Sequence, residues 1–524
     1  MQTRFALTVL IFVSLLPFSC TDTRRPPPAD PAPVVILLGT DVSTFDPQIP
    51  FEVESSYVLG NIFETLIEFD SSFHLLPGLA IRWTNPDDRT WVFSLSQTAY
   101  FSDGTPLKAP DVVFSINRLK SMTHSDLQAF TQYIESVRAL DDHTVQIMTE
   151  SPVSILNNLV FIPIMNEKSV KSAGEGIGEK PVGTGPFKLV QWDKNKKIVL
   201  IRNEFYRPPT RVEKVEFIIH QDPETVLQKV LESKPDITMY LPFRRIEEFE
   251  SRRPQDLHLV FSNGLAVEYI IFNIRPTIPD MKGKNPLSDI RFRKALAYAT
   301  DSGEIIKTIL KGYGRPASQV IAPEVFGYDP SIRPVAPDLE KAKQLLTEAG
   351  YSDVELPFHT VEGGTYRLEN LLIEQWARIG IKGRLKLWKD NKEMSHALSS
   401  GQFAVSVQGY SCTSGDASEF LTFGLHTPKE LQGHGTGNYA GYSNPEVDKI
   451  CESNLQILKP RTRLEALQKS MKLVSEDIPY LPLLITPDLY IVSSRVKWTP
   501  TVTGELKIKN ISYRQSATME RSNR

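Results

Sequence analysis

FAVSVQGYSCTSGDASEFL, residues 403–421, is the stretch from which the fold class is read. Phe403, Val405 and Val407 alternate with Ala404, Ser406 and Gln408, the period of a half-buried strand. A run of small polar residues holding one aromatic, Tyr410, follows. Asp416, with Glu419 three residues on and Phe420-Leu421 directly after, reads as a capping-box helix start. Strand, polar loop and helix start in succession are how an open α/β sheet builds a ligand site at a strand's carboxyl end. The loop offers hydroxyls, backbone groups and a ring, which suit binding. It offers no base, metal cluster or activated nucleophile.

The rest of the chain bounds the problem. A single core stops growing at about 250–300 residues, so 524 residues imply at least two domains. Apolar content of 41% and charged content of 23% are those of an ordinary soluble protein. A net charge of -3 gives no electrostatic reason to invoke nucleic acid. The 38 prolines are spread throughout, which favours loops and irregular strands over a helical bundle.

Arg4 followed by the charge-free apolar run Phe5–Leu16 reads as a signal peptide over residues 1–19, because a bilayer span needs about 20 apolar residues. Cys20 directly after Ser19 resembles a bacterial lipobox, with Pro17 standing where leucine is usual; a plain signal peptide cut near Ser19 is the alternative. Cys20 is therefore the expected lipidation site. Residues 20–33 would tether an extracytoplasmic body to a membrane by lipid alone, since TDTRRPPPADPAP is polar and proline-rich. Cys412 and Cys451 could pair in an oxidising compartment, but Cys451 shares a helical face with Val447, Ile450 and Leu455, so core burial is expected.

Along the chain, Val58–Glu68 reads as helical. Asp338 can cap a helix carrying Leu339, Ala342, Leu345, Leu346 and Ala349 on one face and ending at Gly350. Asn444 before Pro445 is an N-cap followed by proline at the first helical position. Asp103-Gly104 is a turn pair. Helices and strands alternate irregularly, so the class is α/β.

Several segments carry a resemblance. They are Phe45-Asp46-Pro47, NIFETL at 61–66, Leu79-Ala80 with Trp83, FSDGTPLKAPDVVFS at 101–115, and Gly183–Phe187 with Asn203 and Tyr206. Further along come YIIFN at 269–273, IRFRKALAYATD at 290–301, Asn444–Asp448 and Asp477-Ile478-Pro479. In this order, over nearly the whole chain after the tether, the sequence resembles the extracytoplasmic solute-binding proteins of the peptide/nickel class (family 5) that serve ABC importers.

The resemblance implies a periplasmic-binding-protein type II-like fold of two lobes, a hinge, and a subdomain inserted in lobe I. Mapped here, lobe I is 34–67, 182–272 and 486–513, the insert is 68–181, and lobe II is 273–485. The hinge falls near Asn273 and Ile485-Thr486, and the tail 514–524 is frayed. The implied function is capture of oligopeptide or dipeptide-like ligands by lobe closure, and delivery to a permease and ATPase by a monomeric, non-enzymatic receptor. A nickel or other metal chelate or a sugar is the alternative ligand; an enzyme or chaperone on this fold is the more distant one.

In peptide binders of the family the ligand pairs by backbone hydrogen bonds with both lobes. The matching positions here are Phe51, Glu52 and Val53 in lobe I and Gly409, Tyr410 and Ser411 in lobe II, with Tyr269 in the same set. The family typically has tryptophan at Tyr410, and at Thr413 an aspartate that pairs with the peptide amine. A buried ammonium without its carboxylate costs about 3–5 kcal/mol, two to three orders of magnitude in affinity. Either Glu52 or Asp416 replaces it, if the ligand is a peptide, or the ligand is not an ordinary free-amine peptide.

No cofactor or metal is expected. Gly174–Gly178 and Gly183-Thr184-Gly185 fit neither G-x-G-x-x-G nor a P-loop. His426 and His434 with Glu430 between them match no closed zinc spacing and read as a glycine-rich surface loop. No G-x-S-x-G elbow is present.

Overall fold

A computed structural model of the chain describes residues 32–49, 52–281, 283–429 and 433–514. The signal segment, Cys20, most of the tether, Phe51 and Glu430 lie outside the described residues. From Pro33 onward the chain is one compact unit.

Among the described residues the main sheet has eleven strands. In chain order they are β1 (Val34–Leu38), β2 (Phe187–Asp193), β3 (Lys197–Arg202), β4 (Lys214–Ile219), β5 (Ile237–Thr238), β6 (Leu257–Phe272), β7 (Arg315–Pro316), β8 (Glu355–Val361), β9 (Lys382–Trp388), β10 (Val405–Ser411) and β11 (Tyr480–Ser493). Across the sheet the order is β9-β8-β10-β6-β11-β5-β1-β4-β3-β2, with β7 on β11. VVILL of β1 is apolar throughout because it runs parallel between β4 and β5 and is covered on both faces.

Two strands are long enough to serve both ends of this sheet. β6 and β11 pair antiparallel along their lengths, from Leu257↔Ser493 to Ile271↔Tyr480. Towards one end β11 also holds β5, and the packing around them is Phe45, Phe187, Phe217 and Trp498. Towards the other, β6 holds β10 and β11 holds β7. There Phe272, Phe292, Phe358 and Trp376 fill one face of the sheet, and Phe403, Phe420, Leu467 and Tyr480 the other. The neighbours change at a register shift between Ser262 and Ala266, opposite Thr486–Asp488. Gly264 lies in that bulge with so little room that a Cβ would sit 1.8 Å from the Thr486 carbonyl oxygen. Asn273 is not at the crossing. It follows β6 inside the second lobe, where Nδ2 donates to the carbonyls of Gly401 (2.9 Å) and Phe403 (2.7 Å).

A separate four-stranded antiparallel sheet, Ala80–Asp87, Thr90–Leu95, Thr144–Thr149 and Ile134–Asp141, has its own core around Phe93, Phe101 and Ile116. It reaches the second lobe through Asn157, whose Nδ2 donates to the Ser414 carbonyl at 3.2 Å.

The local signals fare unevenly. Helix α2 (Leu339–Ala349) starts at Asp338, whose Oδ1 accepts the Lys341 N–H at 3.0 Å, and stops at Gly350 with φ 74. Helix α3 (Pro445–Ser453) starts at Asn444, whose Oδ1 accepts the Glu446 N–H at 3.0 Å. The helix expected over Val58–Glu68 is displaced: α1 is Val53–Leu59, and Ile67–Phe69 is a strand paired with Leu75–Pro77. The carbonyls between them are taken by other segments, Ile62 by Gly185 N–H (2.8 Å) and Glu64 by Ile164 N–H (2.9 Å), which a continuing helix would need for itself. Cys412 and Cys451 are both buried and free, as the helical face of Cys451 implied.

Gly264→Ala should cost about 1–3 kcal/mol, measured by urea unfolding, because the bulge must shift to clear the Thr486 carbonyl. An unchanged midpoint would show that the crossing tolerates a side chain.

Candidate functional site

β10 starts between two neighbours and ends with one. Against β8 it forms only the pairs Phe358↔Val405 and His359↔Ser406. Against β6 it stays paired to Ala266↔Ser411. From Val407 to Ser411 the β8-side edge has no partner strand among the described residues. An unpaired strand edge presents backbone N–H and C=O groups to whatever lies beside it.

The side chains of this segment alternate between faces. The Tyr410 ring packs on Phe420 at 4.8 Å and Phe423 at 5.8 Å, and its hydroxyl donates to Glu419 Oε1 at 2.5 Å. Glu419 Oε2 accepts the Ser414 N–H at 2.9 Å. Glu419 is thus not the reciprocal partner in a capping box; it ties the polar loop to the aromatic ring. Gly409 and Ser411 are exposed. On the Gly409 face the paired residue is Glu268, and a Cβ on residue 409 would stand 2.8 and 3.0 Å from the Glu268 carboxylate oxygens. A side chain at 409 would push that carboxylate aside. Burial raises the Glu268 carboxyl above the usual range, and among the described residues no cation or hydrogen-bond donor pairs with it.

A cavity of about 250 Å³ lies beside α1. Glu52, Val53, Ser56 and Tyr57 line it from the start of α1, and Thr413 lines it from the loop after β10. Glu52 is the N-cap residue of α1 in extended backbone, and its Oε2 accepts the Ser55 hydroxyl at 2.9 Å. Val53 is 60% exposed, the largest such apolar exposure in the structure. Deeper in the wall, Lys507 and Lys509 both reach Glu68, at 3.0 and 3.3 Å. Beside them, burial pushes the Glu64 carboxyl up to about 7 despite the pull of Lys509. On β11, Asp488 is raised by burial and accepts the Ser262 hydroxyl at 3.2 Å.

The structure therefore brings Glu52, Val53 and Thr413 to one cavity, and leaves Gly409, Tyr410 and Ser411 on an open strand edge. It does not bring in two others. Tyr269 is 5% exposed, wedged edge-on against Tyr480 (5.3 Å) and Phe420 (5.7 Å) behind β10. Asp416 is 7% exposed and held by Arg463, with Oδ1 also 2.9 Å from Arg463 Nη2 and accepting the Ser418 N–H at 3.0 Å. Phe51 lies outside the described residues. Glu268, Glu64 and Asp488 were not expected at the site, and Glu419 was read only as a helix cap. One signal was available for Glu268: it is the single charged residue in the apolar run Leu265–Phe272. Among the described residues, the group spaced to hold a metal, His426, His434 and Glu452, does not line this cavity.

A family model described as bacterial extracellular solute-binding proteins, family 5 Middle, matches residues 74–431. The chain belongs to this family. It is 27% identical to the periplasmic oligopeptide-binding protein OppA of Salmonella typhimurium over 92% of each chain. It is 25% identical to heme-binding protein A of Haemophilus influenzae over 89% of this chain and 87% of that one. HbpA2 of Haemophilus parasuis, 23% identical, superposes with a TM-score of 0.80 over 92% of this chain and 100% of the other. The shared fold is the type II-like, two-lobe α/β architecture of periplasmic binding proteins. As a family 5 solute-binding protein, the chain is one of a class of binding receptors, and no described helix is long and apolar enough to cross a membrane.

Glu64 gives this family 5 protein a pH signature. The unfolded carboxyl titrates near 4.3 and the folded one at about 7, so the unfolded chain releases the proton first. Stability contributed by Glu64 is present below about 4.3 and is lost as pH rises to about 7. The melting temperature of Glu64→Gln relative to the native protein should therefore climb across that window and stay raised at pH 8. A difference that is flat from pH 4 to 8 would place no titration at Glu64.

Proposed function

We propose that this protein is the ligand-capturing receptor of an ABC importer. It takes short peptides into the cleft between its lobes as a monomer and releases them unaltered to a permease driven by an ATPase subunit. The observation that carries this is the open edge of β10 from Val407 to Ser411, with Glu52, Val53 and Thr413 at the neighbouring cavity. An extended peptide can add to such an edge as a strand, gaining affinity from its backbone rather than its side chains. The relationship to OppA supports the ligand class. Closure would bend the molecule where β6 and β11 cross, at Ser262–Ala266 and Thr486–Asp488, since these are the strands common to both lobes.

Thr413 stands where the family has its amine-binding aspartate, and Asp416 is engaged by Arg463. Glu52 remains in the cavity, and Glu268 supplies a second carboxylate. An added strand lies about 4.8 Å beyond β10. The Glu268 carboxylate, lying over a residue without a side chain, reaches towards it. The ligand favoured is accordingly a peptide carrying positive charge. Glu268→Gln should weaken a basic tripeptide by about two to three orders of magnitude in calorimetric titration and leave an N-acetylated neutral one unchanged. Equal affinities of both proteins for the basic peptide would remove Glu268 from the site, and Glu52→Gln is the parallel test of the cavity carboxylate.

The second reading, a non-peptide ligand such as a metal chelate or sugar, is favoured by Thr413 itself. Native mass spectrometry separates the two: a retained mass matching a peptide supports the first, and any other retained mass supports the second.

The lipid anchor at Cys20 rests on the sequence alone. Cys20→Ala should move the protein from the membrane fraction to the soluble extracytoplasmic fraction. A soluble native protein would favour plain cleavage near Ser19.

A further inference from the structure

The loop after Phe420 does something its sequence spacing does not announce. The chain passes from the turn Leu421–Leu425 to His426 and then doubles back, with Lys429 and His434 exchanging backbone hydrogen bonds at 3.0 and 3.4 Å. This returns the His434 ring to 4.6 Å from that of His426. Helix α3 lies alongside and presents Glu452. His426, expected on a surface loop, is 0% exposed.

Not every ring nitrogen of this group is committed to a hydrogen bond. His426 Nδ1 lies 2.5 Å from the carbonyl oxygen of Thr427, an acceptor, so Nδ1 carries the proton. In the neutral ring Nε2 keeps its lone pair, the form that binds a metal; in the protonated ring Nε2–H donates to Glu452. Nε2 lies 3.1 Å from Glu452 Oε1. His434 Nδ1 is buried and has no hydrogen-bond partner. The ligand atoms of His426, His434 and Glu452 lie within 4.8 Å of one another. Bonds of about 2.0–2.2 Å in tetrahedral geometry place ligand atoms roughly 3.3 Å apart. The His426–Glu452 edge already has that length.

We propose that His426, His434 and Glu452 form a binding site for a late first-row divalent metal ion, of the zinc or nickel class, in the second lobe. Two imidazoles and one carboxylate select such ions over magnesium or calcium, which take oxygen ligands. Three protein ligands leave a position for water. The surroundings fit. Asp448 accepts the backbone N–H of Thr427 at 2.8 Å and its hydroxyl at 2.7 Å, which fixes the peptide that orients His426. Lys429 is the cation now on Glu452; its side chain is 45% exposed and free to leave when a metal arrives. The ion would fasten the hairpin to α3, close behind the Phe423 ring that stacks on Tyr410. The site stands whether or not the cleft binds peptide.

The test is titration of the untagged, chelator-stripped protein with zinc by calorimetry, with magnesium as control, followed by cobalt absorption spectra. One zinc per chain is expected, with no magnesium heat and a rise in melting temperature. His434→Asn should weaken zinc by more than about 100-fold, and Asp448→Asn, which acts on orientation only, by about 10-fold. Lys429→Met should tighten it. Because His426 is buried, its replacement is read only if circular dichroism shows a folded protein; His434→Asn, on the partly exposed side, carries the test alone. Absence of zinc binding, or zinc binding unchanged in His434→Asn, would overturn the site.

Discussion

The antiparallel pairing of β6 with β11 is the interaction on which the molecule depends. These strands are members of both lobes, and every other strand of the main sheet is attached, directly or through a succession of neighbours, to one of them. Backbone hydrogen bonds tolerate bending across a bulge better than packed side chains do, because the core is close-packed and the ladder is locally redundant. A crossing at Ser262–Ala266 with room for nothing larger than glycine therefore joins the lobes, and it is where the proposed closure would bend.

The same geometry explains the open edge. β8 is committed to β9 along its length and touches β10 at two pairs only, so β10 continues towards the crossing with one side uncovered. Native sheets usually cover or charge such an edge. Here the residue on it is glycine, and the Glu268 carboxylate of the paired strand lies against that glycine. An uncovered edge beside a half-buried carboxylate with no cation on it among the described residues suits the cationic strand proposed above. This ties the fold to the proposed ligand without any catalytic group.

Carboxylates divide sharply by role. Asp416 is matched by Arg463, and Glu68 by two lysines, so these build structure. Glu64, Glu268 and Asp488 are raised by burial, and among the described residues Glu268 and Asp488 have no cation beside them. Residue type cannot make this distinction, since an aspartate that caps a turn and one that awaits a ligand read alike.

Composition, the apolar first segment, the period-two strands and the caps at Asp338 and Asn444 are properties of neighbouring residues, and the sequence by itself determined them. So was the α/β class, and the resemblance carried the family. Three things needed the tertiary structure. The helix expected at Val58–Glu68 gave way because Ile62 and Glu64 spend their carbonyls on distant segments. Asp416 left the candidate site because Arg463, far along the chain, claims it. Glu268 and the His426–His434–Glu452 group emerged because strand register and a chain reversal bring together atoms that no local spacing relates. Local signals fix what each residue can do; which partner it finds is decided only when remote segments compete for the same hydrogen bonds and charges.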